Sequence, residues 1–293
     1  MSLPYPINHY SRFKVMFRVR SLIKGLLESA VKISLRFPLI RYFYQELIDL
    51  GMSIIVPVRH GDTDMLFTSP NALTRYRSKS FSSKEPDTLI WLEAIPRDAV
   101  LWDVGANVGL YSIYAARKSG AQVFAFEPSV FNLELLARNI FLNNLEQSIT
   151  IIPIALNDSL APSLFKMSTT AWGGALSTFG EDFDQYGGQL NSIFEYKTIG
   201  ITMDDAISIL KIPMPSFLKI DVDGIEHFIL RGGAYVLSQV ESVLIEISDD
   251  FTEQVEETAQ HLQAAGLTLF RKCGGLNAGN QYNQWWVRIG SPQ

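Results

Sequence analysis

From Ala99 onward the chain alternates short apolar runs, rich in Val, Ile and Phe, with segments whose apolar residues recur at helical spacing. That is the pattern of parallel strands joined by crossover helices. AVLWDV (99–104) reads as a strand, followed after a glycine-bearing turn by the helix LYSIYAARKS. QVFAFE (122–127) is a second strand, and Pro128 opens the helix SVFNLELLARNIFLNN, with Leu133, Leu136, Ile140 and Phe141 at helical spacing. ITIIPIAL (149–156) is a third strand. SFLKIDV (216–222) and SVLIEIS (242–248) are two more, with a helix from Ile225 to Ser238 between them. After a last helix around 252–265, LTLFRKC and QWWVRIG are joined by a loop with no helix, so they pair as an antiparallel ribbon. The expected fold class is α/β, with a mostly parallel sheet.

Two regions fall outside this rhythm. Residues 159–200 form an inserted loop rich in glycine, serine and aromatics, including Trp172, Phe179 and Tyr186. A loop of that length in a compact domain is a lid or a recognition element. Its aromatics either stack on an acceptor or pack the loop onto the sheet. Residues 1–85 precede the alternation as a helical extension and lead-in, so the expected division is 1–85 and 86–293. Within the extension, Val15, Val19, Leu22, Leu26 and Ala30 stand at helical spacing among cations.

The 293 residues are ample for a buried core, and 47% hydrophobic with 19% charged residues exclude a disordered chain. The net charge of −5 is unevenly spread. Residues 1–45 hold eight Lys or Arg and one acid, leaving 17 basic and 29 acidic residues, so the arm carries +7 and the body −12. A body that acidic does not suit the phosphate backbone of nucleic acid, so no nucleic-acid partner is expected. The arm fits an anionic membrane surface, the acidic body itself or a second copy of the chain. It therefore leaves open a peripheral membrane contact through residues 1–45 and a homo-oligomer. The single cysteine, Cys273, excludes intrachain disulfides and fits a reducing compartment. Cations from Arg12 to Lys24 interrupt every N-terminal apolar run, so no signal peptide is read and a cytoplasmic location is expected.

The strongest chemical signal is LWDVGANVGLYS, in which a strand ends at Asp103 and a turn carries Gly105 and Gly109 around Asn107 before a helix begins. Glycines let the backbone approach a ligand closely, and the helix start offers free N–H groups. Glu127 ends the next strand, where an acid grips ribose hydroxyls in nucleotide-binding sheets. The dinucleotide pattern GxGxxG is not met, because its third and sixth positions are Asn107 and Leu110. Asp103, two residues before the first glycine, suits an ammonium group better than a pyrophosphate. S-adenosylmethionine therefore fits better than NAD, although an NAD-dependent oxidoreductase and a noncatalytic binding protein on the same fold remain alternatives. KIDVDGIEH gathers Asp221, Asp223, Glu226 and His227 at a strand end, the side on which open α/β sheets bind ligands. Asp221 is the leading candidate base or acceptor-orienting residue, against a structural role as a helix cap; crowding by other acids would raise its pKa. Asp223 and His227 are further catalytic candidates. The cluster could also hold a divalent metal, but nothing else in the chain completes such a site.

DVGANVG, FAFEPSVFNLELLARN, ALNDS, TMDD and LKIDVDGIEHFILRGG resemble, in order and wording, the successive motifs of the FkbM family of S-adenosylmethionine-dependent methyltransferases. The resemblance covers roughly 81–270. It implies a class I methyltransferase (Rossmann-like) fold, seven-stranded and mostly parallel with an antiparallel C-terminal ribbon. The activity it implies is methyl transfer, mostly to hydroxyl oxygens of sugars, glycans or secondary metabolites. Carried over to this sequence, Asp103, Gly105, Asn107 and Gly109 would surround the methionine portion, Glu127 would bind the ribose, and Asp158 would sit near the adenine. The family more often has Glu where this chain has Asp223.

Overall fold

The chain divides into two units, Met1–Ser53 and Ile54–Gln293, and the computed structural model describes residues 25–27, 29–274 and 280–290. The first unit carries helix α1 (Pro38–Met52), none of whose residues is buried. Leu39, Phe43, Leu47 and Leu50, all on one side of it, are exposed. Val15, Val19 and Leu22 of the expected basic helix lie outside the described residues. No helix among the described residues is long and apolar enough to cross a membrane.

The second unit starts well before residue 86, where the sequence placed the boundary. It opens with an antiparallel hairpin, β1 (Ile55–His60) and β2 (Thr63–Thr68), followed by α2 (Ala72–Lys84) and α3 (Pro86–Glu93). Met65, Phe67 and Phe81 are buried in the same apolar cluster as Leu101, Ile113 and Val123 of the alternating region. Asn139 and Asn143 also accept from the β2 amides of Thr68 and Leu66. Residues 54–85 therefore belong to the sheet unit. The lead-in shows little alternation of its own because it covers a sheet rather than joining it.

Strands β3 (Val100–Val104), β4 (Gln122–Phe126), β5 (Ile149–Ile152), β10 (Phe217–Ile220), β11 (Ser242–Ser248), β12 (Leu267–Cys273) and β13 (Gln281–Arg288) form one seven-stranded sheet. Their order is β12-β13-β11-β10-β3-β4-β5. All pairs are parallel except those of β13, which runs antiparallel to both β11 and β12. Helices α4 (Leu110–Ser119) and α5 (Val130–Leu142) follow β3 and β4, as the helical spacing predicts. The two faces of the sheet bury separate apolar clusters, Trp102, Phe126 and Trp286 lying in one and Leu101, Ile113 and Leu244 in the other. This is the Rossmann-like methyltransferase architecture.

Three elements differ from the sequence reading. The third strand breaks at Pro153, leaving β6 (Ala155–Leu156) to join a second sheet. The inserted segment is not a loop: with β6 it supplies β7 (Ala161–Met167), β8 (Ser177–Phe179) and β9 (Phe194–Ile201), a four-stranded sheet in the order β6-β9-β7-β8. Its scattered Gly and Ser residues, with glycine pairs at 173–174 and 187–188, hid strands whose alternation is irregular. After α6 (Met203–Ser208), the helix expected from Ile225 to Ser238 is two, α7 (Glu226–Arg231) and α8 (Ala234–Gln239). It breaks where a Cβ on Gly232 would meet Asn157 O at 2.4 Å and one on Gly233 would meet Met203 Cε at 2.0 Å. The last helix, α9 (Thr252–Ala264), is as expected.

Candidate active site

Lys219 lies level with Asp103 across the parallel pair of β10 and β3. Strand alternation sends Leu218 and Ile220 into one apolar layer and Lys219 to the opposite face, the side of Phe217. The Lys219 ammonium is buried 2.9 Å from Asp221 Oδ2, 3.8 Å from Asp103 Oδ1 and 5.1 Å from the centre of the Tyr111 ring. Burial pushes the Asp221 carboxyl up, but Lys219 and then Lys84 outweigh it, and Asp221 is held below the usual carboxylate value. Glu246 is pushed far up by burial and by the Asp221 charge. Asp103 is also raised, chiefly by burial, despite Lys219 and a 2.6 Å hydrogen bond from Ser112 Oγ.

Where β3 ends, Gly105 turns the backbone with φ of 84°, and a Cβ there would lie 1.9 Å from the Asp221 carbonyl oxygen. Only glycine permits the two strand ends to pass that closely. The turn brings the Asn107 amide to Glu127, whose Oε2 accepts it at 2.7 Å while Oε1 accepts the Ser129 amide at 2.8 Å. Burial pushes the Glu127 carboxyl up to about 7, against these donors.

The segment from Trp172 to Ser177 of the insertion crosses this region as a strap held by strand-end residues. The Gly174 carbonyl accepts from Asn107 Nδ2 at 2.7 Å and Asn132 Nδ2 at 3.1 Å. Asn71 Nδ2 and Arg77 Nε donate to the carbonyls of Trp172 and Gly173. The Leu176 and Ser177 amides donate to Asp223 Oδ2 at 2.6 and 3.4 Å. Burial and then the Asp221 charge push Asp223 up to about 6.

Two clefts flank this point and share Gly105, Asn107 and Asp221 as a common wall. One runs under the strap past Glu127, Ser129, Asn132 and Asp223. The other lies against α2 and is lined by Arg77, Ser80, Lys84, Glu85, Tyr111 and Lys219. Of the residues expected at the site, Gly105, Asn107, Glu127, Asp221 and Asp223 meet here.

The others do not. Asp103 is buried beside Lys219 and Ser112, behind the cleft wall, because the cation that neutralises it comes from the adjacent strand. Gly109, at φ 84°, starts α4 and packs on Leu136. Asp158 pairs with Arg231, which also pairs with Glu257, at a partly exposed position outside both clefts. His227 is fully buried among Phe183, Phe228 and Phe251. Among the described residues neither of its ring nitrogens has a partner, and burial lowers its pKa to about 4. Of the insertion's aromatics, Phe179 is core while Trp172 and Tyr186 line neither cleft. Among the described residues no group of three or more His, Cys, Asp or Glu is placed to hold a metal ion.

Sequence reasoning missed Lys219, Asn132 and the wall provided by Arg77 and Lys84. Lys219 carries a signal, since a lone charge inside the apolar run SFLKIDV on a central strand needs an acid beside it. Arg77 and Lys84 carry none, because α2 has no apolar stripe that would place it on the sheet.

The methyltransferase FkbM domain matches residues 103–274. The hexuronic acid methyltransferase AglP of Haloferax volcanii is 29% identical over 185 residues, which cover 62% of this chain and 69% of that protein. The methyltransferase sdnD of Sordaria araneosa is 26% identical over 159 residues, 47% of this chain and 61% of that protein. A crystal structure of a methyltransferase FkbM from Methylobacillus flagellatus superposes with a TM-score of 0.49 at 14% identity, covering 74% of this chain and 53% of that one. The chain thus spans about half the length of that solved protein.

Proposed function

This chain belongs to the FkbM methyltransferase family, and from that premise we propose that it transfers a methyl group from S-adenosylmethionine to an oxygen of a sugar, glycan or related small-molecule acceptor. The observation that carries the reading is the junction at Gly105, Asn107 and Asp221, where a cleft ending on a buried strand-end acid meets a second cleft lined with charge. The hexuronic acid named for the relative AglP supports a sugar acceptor.

The residues present fit the cofactor. Each Glu127 oxygen accepts one backbone amide and has lone-pair capacity left for a hydroxyl, which suits a ribose diol. The cleft that reaches Glu127 is also lined by Gly105, Asn107, Ser129 and Asn132, a set of backbone and amide groups that suits the polar edge of a nucleoside. When bound, such a cofactor supplies a methyl group on a positively charged sulfur. Asp221 faces both clefts, and Lys219 keeps it ionised. A carboxylate held so acidic is a weak base, so its role is to accept a hydrogen bond from the attacking hydroxyl and fix its direction, taking the proton only as the new bond forms. The sequence expectation of a raised Asp221 pKa is reversed by the two lysines. Asn107 and Asn132 hold the strap over the cleft, limiting the access of water that would compete with the acceptor.

Incubation with methyl-labelled S-adenosylmethionine and a panel of hexuronates and neutral hexoses tests the reading. Label should reach an acceptor oxygen, and Asp221→Asn should cut the rate about 10²-fold or more. Transfer unaffected by Asp221→Asn would remove Asp221 from the reaction.

A further inference from the structure

The cations around the two clefts are not equivalent. Lys219 is matched by Asp221 and Asp103, and Lys84 lies 2.6 Å from Glu85 Oε1. Arg77 also lines the α2-side cleft, yet among the described residues it makes no ion pair. Among those residues its side chain makes one hydrogen bond, from Nε to the Gly173 carbonyl at 2.7 Å. That bond anchors one edge of the guanidinium to the strap and leaves the donors at its far end, Nη1 and Nη2, without a partner among the described residues. Asp223, whose carboxyl the Arg77 charge draws down, already accepts the Leu176 and Ser177 amides.

We propose that Arg77 is the carboxylate-binding residue of this cleft, receiving a ligand carboxylate on the free end of its guanidinium. A guanidinium held in place on one edge presents a fixed pair of parallel donors, the geometry that matches a carboxylate. An entering carboxylate would break no ion pair already present, whereas at Lys84 or Lys219 it would compete with Glu85 or Asp221. The proposal rests on the methyl-transfer reading for the identity of its ligands. Two ligands bring a carboxylate to this point, the amino-acid end of the cofactor and a uronic acid acceptor. Because α2 precedes the segment that matches the family domain, this recognition lies outside the shared motifs.

Calorimetric titration of the full chain and of Arg77→Gln decides the matter with three probes. These are S-adenosylhomocysteine, 5′-methylthioadenosine, which lacks the amino acid, and glucuronate with glucose as its neutral control, added to protein loaded with S-adenosylhomocysteine. Loss of about tenfold or more in S-adenosylhomocysteine affinity, with methylthioadenosine unchanged, supports the proposal and assigns the carboxylate to the cofactor. Unchanged S-adenosylhomocysteine affinity with a lost preference for glucuronate over glucose also supports it and assigns the carboxylate to the acceptor. Arg77→Lys should recover only part of either loss, and a melting curve matching wild type guards against misfolding. If Arg77→Gln leaves every affinity within twofold, or weakens methylthioadenosine as much as S-adenosylhomocysteine, the proposal is overturned. Failure of the wild-type protein to bind either nucleoside overturns the cofactor reading instead.

Discussion

On the α2 side of the site, Asp221 and Asp103 flank the buried ammonium of Lys219, and Asp221 stays ionised. On the strap side, two to five residues further along the same motif, Asp223 and Glu226 have only uncharged N–H donors. Asp223 accepts two strap amides, and Glu226 accepts the amides of Val222 and Gly224 and the side-chain amide of Gln254. Burial pushes these two carboxyls up to about 6 and about 7. The difference between the two sides is chiefly Lys219, with Lys84 second. Between Lys219 and Lys84, Asp221 keeps its charge and can act on a ligand, whereas the more deeply buried Asp103 is raised despite Lys219. Asp223 and Glu226, accepting only amides, organise the chain, fixing the strap and the turn into α7.

Removing the lysine should erase the difference. Lys219→Met leaves Asp103 and Asp221 buried and unpaired, and breaking a buried ion pair by deleting one partner costs about 3–5 kcal/mol. Urea unfolding at pH 7 should show that loss, and the deficit should shrink at low pH as both acids take up protons. A deficit under about 1 kcal/mol would mean that the cation is dispensable.

Glu226 tests the other side through pH. Its carboxyl is at about 7 in the folded protein and near 4.5 unfolded, so the folded state holds the proton more tightly. At low pH the group is neutral in both states and carries no penalty. As pH rises from 4.5 through 7, the unfolded chain ionises first and stability is lost. The stability of the wild type relative to Glu226→Gln should therefore fall across that window by an amount on the order of 3 kcal/mol. A flat difference would show that its three donors have already secured the ionised form.

His227 adjoins Glu226 and belongs to neither side. With both nitrogens buried and unpartnered among three aromatic rings, His227→Phe should gain about 1 kcal/mol of stability and leave S-adenosylhomocysteine binding unchanged. Lost binding would return His227 to the site.

How much of this could be read from the sequence divides along the same line. The sheet was legible because AVLWDV, QVFAFE and SVLIEIS are apolar enough to be buried strands wherever they pair. Gly105, Asn107 and Glu127 were legible because a strand-turn-helix followed by an acid is a local pattern. Which of Asp103, Asp221 and Asp223 faces a ligand was not, because that depends on Lys219 from the adjacent strand and on amides from a strap more than forty residues away in sequence. Asp158 illustrates the same limit. It follows the third strand as expected, but Arg231 of α7 holds it outside the cleft.

The central claim, that the cleft ending on Glu127 binds S-adenosylmethionine, is tested most directly by calorimetric titration of S-adenosylhomocysteine into the wild type and Glu127→Ala. The wild type should bind with a saturable heat, and Glu127→Ala should lose at least about tenfold in affinity, as expected when the hydrogen bonds to a ribose diol are removed. Equal affinities, or no binding by the wild type at millimolar ligand, would contradict it.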